Sequence, residues 1–262
     1  MHASWSRPVR RGIVVAMDTT NSTVFISGAT SGLGLALAQR LQAAGSTVVI
    51  GGRRQDRLDA LAAEHGFGTV AIDVADADSI ATAAADLTDR YPSLDTVVTM
   101  SGIMRNEDLR DPGHIDDALE TVRTNLVGTI RLIDAFLPHL LSRPAATLIT
   151  VSSGLAFVPL TATPTYSATK AAVHSYTQAL RQQLVGSTVD VLELAPPAVQ
   201  TDLMGGVDFG GMPLDAFTDE VMGLLESGAT PEILVQNVQP LRWAERDGTH
   251  QQILEAMAGR GH

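Results

Sequence analysis

Six short runs of apolar, mostly β-branched residues recur along the chain, each separated from the next by a longer segment with helical patterning. They are Thr23-Val24-Phe25-Ile26, Thr47-Val48-Val49-Ile50, and the stretches near Thr69–Ile72, Thr96–Met100, Thr147–Val151 and Val189–Leu194. Between the first two, Leu33–Ala44 is rich in Leu and Ala and stops at Gly45, a helix C-terminal signal, and Arg54–His65 reads as the next helix. Strands that are apolar along their whole length must be covered on both faces, and the intervening helices supply that cover. The expected fold is therefore α/β: a doubly wound parallel sheet of about seven strands with helices on both faces.

At 262 residues and 45% hydrophobic content, one core suffices. No composition break marks a second domain, so residues 21–262 read as one unit, with a glycine-containing lid near 203–225. Residues 1–20 read as an extension outside the fold. They carry Arg7, Arg10 and Arg11, then the run Ile13-Val14-Val15-Ala16, too short for a signal core or a membrane span.

The turn after the first strand reads Gly28-Ala29-Thr30-Ser31-Gly32-Leu33-Gly34 and opens a helix. Gly28 permits a tight turn, Gly32 lets a pyrophosphate approach the backbone, and Gly34 lets the helix pack against the sheet. The unpaired N–H groups and positive dipole end of that helix suit phosphate. The segment reads as the first βα turn of a Rossmann-type dinucleotide fold, spaced GxxxGxG rather than GxGxxG; the competing reading is a purely structural glycine turn. The second strand ends Ile50-Gly51-Gly52-Arg53-Arg54. A fold preferring NAD usually places an acid here for the ribose 2′-hydroxyl, whereas guanidinium groups grip a 2′-phosphate through charge-assisted bonds. The pair favours NADP(H), with NAD(H) as the other option. The competing reading of the arginines is a solvated helix start.

Tyr166-Ser167-Ala168-Thr169-Lys170 places a phenol and an ammonium on one helix face. A phenol titrates near 10, and a nearby ammonium lowers that value. Reaching about 7 requires roughly 4 kcal/mol of differential stabilisation at about 1.4 kcal/mol per pH unit. The result is a general acid or base for a carbonyl/alcohol pair. Val151-Ser152-Ser153-Gly154 closes the fifth strand, at the sheet edge where such folds bind ligands, and a hydroxyl there can polarise a substrate oxygen. Asn125 lies inside an apolar helical run, where an asparagine usually satisfies itself locally or faces solvent.

Taken together, in this order and spacing, these motifs resemble the short-chain dehydrogenase/reductase family over roughly Thr23 to Ile233. The stretches Val151–Thr165 and Leu194–Asp202, with Gly210-Gly211-Met212-Pro213, resemble its DltE-like subgroup. The resemblance implies Tyr166 as proton donor, Lys170 as the residue that tunes the tyrosine and binds the nicotinamide ribose, and Asn125 as holder of a relay water. It selects Ser153, thirteen residues before the tyrosine, over Ser152. It further implies that Gly28, Ser31, Gly32, Leu33 and Gly34 surround the pyrophosphate and that Asp73 and Val74 contact adenine. The resemblance also implies that Gly102 belongs to a segment supporting the sheet and the adenosine side, and that Val199 and Thr201 meet the nicotinamide carboxamide. Gly52 stands where NAD-preferring relatives carry an aspartate, and Ser31 where some NADP-preferring relatives carry a second basic residue. The family's Asn-Asn-Ala-Gly is here Thr99-Met100-Ser101-Gly102.

A net charge of −11 argues against nucleic acid or an anionic membrane as partner. The absence of cysteine removes disulfides, thiolate ligands and a cysteine nucleophile, and fits a cytoplasmic location; the seven histidines show no metal-ligand spacing. The expected partners are a small carbonyl or alcohol substrate and further copies of the chain, in a homodimer or homotetramer. The expected activity is NADP(H)-dependent hydride transfer between a carbonyl and an alcohol; the alternative is a binding protein that senses NADP(H) without turnover. Met204, Phe209, Met212, Leu214, Phe217 and Met222 in the lid suggest an apolar or mixed substrate.

Overall fold

A computed structural model of the chain describes residues 16–201, 210–228 and 230–258. Seven strands form one all-parallel sheet in the order β3-β2-β1-β4-β5-β6-β7. They are β1 (Thr23–Ser27), β2 (Thr47–Gly52), β3 (Gly68–Ala71), β4 (Thr96–Thr99), β5 (Ala146–Val151), β6 (Val189–Leu194) and β7 (Glu232–Ile233). The doubly wound fold expected from the sequence is present. Winding reverses between β1 and β4, which opens a crevice at their C-terminal ends.

Strand alternation sorts the core into two layers. Val24 and Ile26, Val48 and Ile50, Val98, Ile149 and Leu192 face one way. They meet α1 (Gly32–Ala44), α2 (Gln55–His65) and α7 (Leu214–Ser227) through Leu37, Leu41, Leu58, Leu61, Phe217 and Val221. Phe25, Val49, Val97, Leu148 and Val191 face the other way. There they pack on α3 (Ala77–Arg90), α5 (Gly128–Leu141) and α6 (Pro164–Gln183) through Ile80, Leu87, Phe136 and Leu180. Helix α4 (His114–Val122) runs into α5 through a π-helical turn, Arg123–Val127. The chain continues past β7 into α8 (Gln239–Arg242) and α9 (His250–Ala258).

Two boundaries differ from the sequence reading. The packed chain starts before residue 21: Met17 is buried, its N–H donates to Leu225 O at 3.1 Å, and Ser46 Oγ donates to Thr19 O at 2.8 Å. Residues 16–20 thus close the end of α7, which a local reading of composition does not show; residues 1–15 lie outside the described residues. The expected lid at 203–225 also divides. Residues 202–209 lie outside the described residues, whereas Leu214 begins α7. Phe217 and Met222 point into the core, so they provide no apolar surface for a substrate.

Candidate active site

All strands being parallel, the loops after β1, β4, β5 and β6 emerge on one edge. After β1, the glycine turn is set by contact. Gly28 has φ +71°, and a Cβ on it would lie 2.7 Å from Ser101 Cα; a Cβ on Gly34 would lie 2.6 Å from Gly28 O. Ser31 is the N-terminal flanking residue of α1, its side chain makes no capping bond, and the first turn carries no acid. That helix end, with Gly32 and Leu33 in its first turn, therefore presents its partial positive charge without an internal anion, as a phosphate site requires. Gly32 faces Thr201 across the cleft, where a Cβ would lie 3.6 Å from Thr201 Cβ. The close-packed glycines and the unneutralised helix end fit a dinucleotide pyrophosphate.

Beside the turn, Arg53 is exposed, Arg54 Nη2 reaches Thr30 Oγ1 at 3.4 Å, and Arg57 Nε donates to Thr30 O at 3.3 Å. Arg57 was not singled out from the sequence, although its position one helical turn beyond Arg53 and Arg54 is the signal that finds it. Asp73 Oδ1 accepts from Ala75 N at 2.9 Å, shaping the turn after β3. The Val74 side chain goes into the core, with its carbonyl against Gly128, so any adenine contact from Val74 uses backbone. Val199 is likewise buried, and the segment around it is pinned by Gln200 N to Met212 O and Met212 N to Ala198 O. The segment Thr99-Met100-Ser101-Gly102 is held by Thr99 Oγ1, which donates to Ile149 O at 3.5 Å, and by the backbone N of Ser101, which donates to Ser27 Oγ at 3.3 Å.

Four polar residues converge after β4 and β5, and all are buried: Asn125 is 1% exposed, Lys170 5%, Ser153 7% and Tyr166 8%. Ser153 ends the extended chain of β5 and accepts from Leu155 N at 3.1 Å, and its hydroxyl is near enough to the Tyr166 phenol to favour the ionised form. One turn along α6, Lys170 Nζ donates to Val151 O at 2.8 Å and lies 5.6 Å from the Tyr166 ring centroid. A Cβ on Gly102 would lie 3.4 Å from Asn125 Oδ1 and 3.8 Å from Lys170 Nζ, so Gly102 sits where the two meet.

The asparagine departs from what an isolated asparagine inside a helix usually does. Asn125 neither satisfies itself locally nor faces solvent. Its Oδ1 accepts from Ile103 N at 2.8 Å, and its Nδ2 donates to Ile103 O at 2.8 Å and to Thr169 Oγ1 at 3.4 Å. The π-helical turn that contains it is a common device at functional sites, and here one amide clamps the β4 loop onto α6. Glu107, also missed from the sequence, supports the same helix. Its buried carboxylate accepts from Thr165 N at 3.0 Å and Thr165 Oγ1 at 2.7 Å, capping the turn that carries Tyr166. Nothing local marks Glu107 for this, because its partner lies 58 residues away.

The electrostatics also differ from expectation. Burial pushes the Tyr166 phenol up to about 12, opposed only by the nearby Ser153 hydroxyl, and pushes Lys170 down to about 8. Lys170 aims at a carbonyl rather than at the phenolic oxygen, so the cost of desolvating a phenolate outweighs its attraction. The resting pair is thus a neutral phenol, ready to donate, beside a lysine poised to change charge in the neutral-to-alkaline range.

Residues 22–208 match the family model described as short chain dehydrogenase. The chain is 35% identical to the uncharacterized oxidoreductase DltE of Bacillus subtilis over 88% of its own length and 94% of that protein. It is 34% identical to a serine 3-dehydrogenase of Rhizobium radiobacter, over 70% and 74% of the two chains. Among solved structures, a short chain dehydrogenase from Burkholderia cenocepacia in complex with NADP superposes with a TM-score of 0.81 at 25% identity, covering 91% of this chain and 99% of that one.

Proposed function

Given that the chain belongs to the short-chain dehydrogenase/reductase family and is an oxidoreductase of that kind, we propose that it reduces a ketone or aldehyde with NADPH, reversibly. The observation that carries this reading is the burial of Ser153, Tyr166 and Lys170 together, the phenol close enough to the Ser153 hydroxyl to be eased downward by it and Lys170 one helical turn along α6. Gly28, Ser31, Gly32, Leu33 and Gly34 would hold a nicotinamide cofactor, whose chemistry would be to supply the hydride. The chain's own residues do the rest. Ser153 Oγ holds the carbonyl oxygen and Tyr166 donates its proton there. Lys170 supplies positive charge beside the developing phenolate, and Asn125 holds the loop after β4 against α6. A sensor without turnover has no use for a phenol and hydroxyl buried together. The test is loss of NADPH absorbance at 340 nm with purified protein and a panel of ketones and aldehydes; no consumption with any of them overturns the reading.

Cofactor choice rests on Arg53, with Arg54 and Arg57 behind it, and the NADP complex of the Burkholderia relative supports it. A charge-assisted bond to the 2′-phosphate contributes about 1.5–3 kcal/mol, hence a preference for NADPH over NADH of roughly ten- to a hundredfold. Arg53→Ala is expected to lose most of that preference and leave NADH affinity nearly unchanged, as read by titrating both reduced cofactors. Placing an aspartate at Gly52 is a poorer test, because a Cβ there would lie 2.6 Å from Thr30 Cγ2 and disturb the turn itself.

No helix among the described residues is long and apolar enough to cross a membrane. We place the enzyme in the cytoplasm, on its lack of cysteine and its nicotinamide chemistry. We also propose a homodimer or homotetramer. Ile115 and Leu119, one turn apart on α4, are exposed, as are Leu109, Leu141 and Val185. Light scattering at micromolar concentration is expected to give two or four copies; a single copy overturns this.

A further inference from the structure

Beneath the active site, on the α6 side of the sheet, lies a buried carboxylate that the proposed reaction does not use. Glu193 is the fifth residue of β6, and its side chain is 1% exposed. Val189 and Val191, on the same face of the same strand, are apolar and pack into the core. Burying a charge where the strand pattern calls for another aliphatic residue is unfavourable unless it is fully hydrogen-bonded, and such groups are better at defining an arrangement than at adding stability.

The bonds of Glu193 reach two catalytic elements. Ser152 Oγ donates to its Oε1 at 2.5 Å, and Ser152 directly precedes Ser153. His174 Nδ1 lies 2.8 and 2.9 Å from its two oxygens. His174 Nε2 lies 3.1 Å from Gln178 Nε2, so a neutral ring with its proton on Nδ1 satisfies both contacts. Tyr166, Lys170 and His174 succeed one another at intervals of four, along one stripe of α6. Down that stripe, the helix is pinned to the strands by Lys170 Nζ to Val151 O and by His174 to Glu193. A third contact joins Thr177 to Thr150 at 2.8 Å.

The neighbouring charges are engaged elsewhere. Glu232 stands beside Glu193 across the β6–β7 ladder, and Arg242 takes both of its oxygens, at 2.6 and 3.0 Å. Arg181 donates to Val191 O and Pro231 O. His174, Glu193 and Glu232 are near enough together for a metal ion, but this bidentate guanidinium already fills the Glu232 end.

We propose that Glu193 is a positioning residue for the carbonyl reduction proposed above, on which this inference rests: it joins Ser152 to His174 and so sets the register of α6 against β5, and with it Tyr166 and Lys170 against Ser153. Apolar contacts alone let a helix slide on a sheet, and a misplacement of about 1 Å can lower turnover by roughly a hundredfold.

The test is Glu193→Leu and Glu193→Gln, each alone and combined with Tyr166→Phe. Turnover is measured with NADPH and the best carbonyl found for the wild type, and hydrogen–deuterium exchange at residues 151–155 and 164–171. Glu193→Leu is expected to lower kcat by about tenfold or more with NADPH affinity unchanged, and Glu193→Gln, which keeps the shape and one acceptor, to recover most of it. In the Tyr166→Phe background, Glu193→Leu is expected to add almost nothing, because the group it positions is gone. A merely structural role would instead lower turnover equally in both backgrounds, and that result overturns the proposal, as does an unchanged kcat. Should Glu193→Leu fail to fold, Ser152→Ala removes one bond only, and its kcat is then expected to fall with the same non-additivity. Should the wild type reduce no carbonyl, the functional reading fails, and exchange decides Glu193 by itself: faster exchange at both segments supports the clamp, and unchanged exchange overturns it.

Discussion

Tyr166→Phe is expected to lower kcat by about a hundredfold or more while NADPH still binds, the low end for removing a general acid. The substitution deletes one hydroxyl and keeps the ring. Because that ring is buried and Thr169 Oγ1 bonds the Tyr166 carbonyl rather than the phenol, α6 keeps its packing. What disappears is the proton that the proposed reaction delivers to the carbonyl oxygen, and the hydroxyl that sits near Ser153. The measurements are steady-state turnover with NADPH and a carbonyl substrate that the wild type reduces, and a fluorescence titration with NADPH. Near wild-type kcat with intact binding would remove Tyr166 from the reaction.

Lys170→Met is expected to damage turnover and cofactor affinity together, with a loss in kcat of roughly a hundred- to a thousandfold, the range for deleting a preorganised charge. The pH profile separates its role from that of Tyr166. Burial lowers Lys170 to about 8 and raises Tyr166 to about 12. Reduction needs the phenol protonated, which holds across the whole neutral and alkaline range. It also needs the ammonium, which is present below about 8 and lost as the pH rises through that value. The wild-type rate of reduction is therefore expected to fall above about pH 8. Lys170→Met has no such group and is expected to show a low, flat profile over the same window. An unchanged alkaline limb in the variant would assign the titration to another group, and unchanged NADPH affinity would remove the ribose contact.

Much of the scaffold was legible because strand and helix periodicity are local properties. The continuous apolar runs placed six strands within a residue or two of where they lie; β7, only two residues long, was not placed from the sequence. The i,i+4 spacing of Tyr166 and Lys170 needed only a helix, and α6 is that helix. The residues that hold the site together were not legible in the same way. Asn125 meets Ile103 22 positions away, Glu107 meets Thr165 at 58, and Ser152 meets Glu193 at 41. Each looks locally like an ordinary polar residue, and only the return of the chain gives it a partner.

The sequence by itself determined the parallel α/β architecture and the glycine turn at the first helix, since each follows from spacing along one element or one turn; it offered Tyr166 and Lys170 as candidates through their i,i+4 spacing, and Ser153 through the family resemblance. The tertiary structure alone decided that residues 16–20 belong to the fold and that Phe217 and Met222 serve the core. It also decided that Asn125 is a clamp, and that burial raises the phenol of Tyr166 where a neighbouring ammonium was expected to lower it. Those outcomes depend on solvent exclusion and on contacts between distant segments, quantities that exist only once the two layers have closed on the sheet.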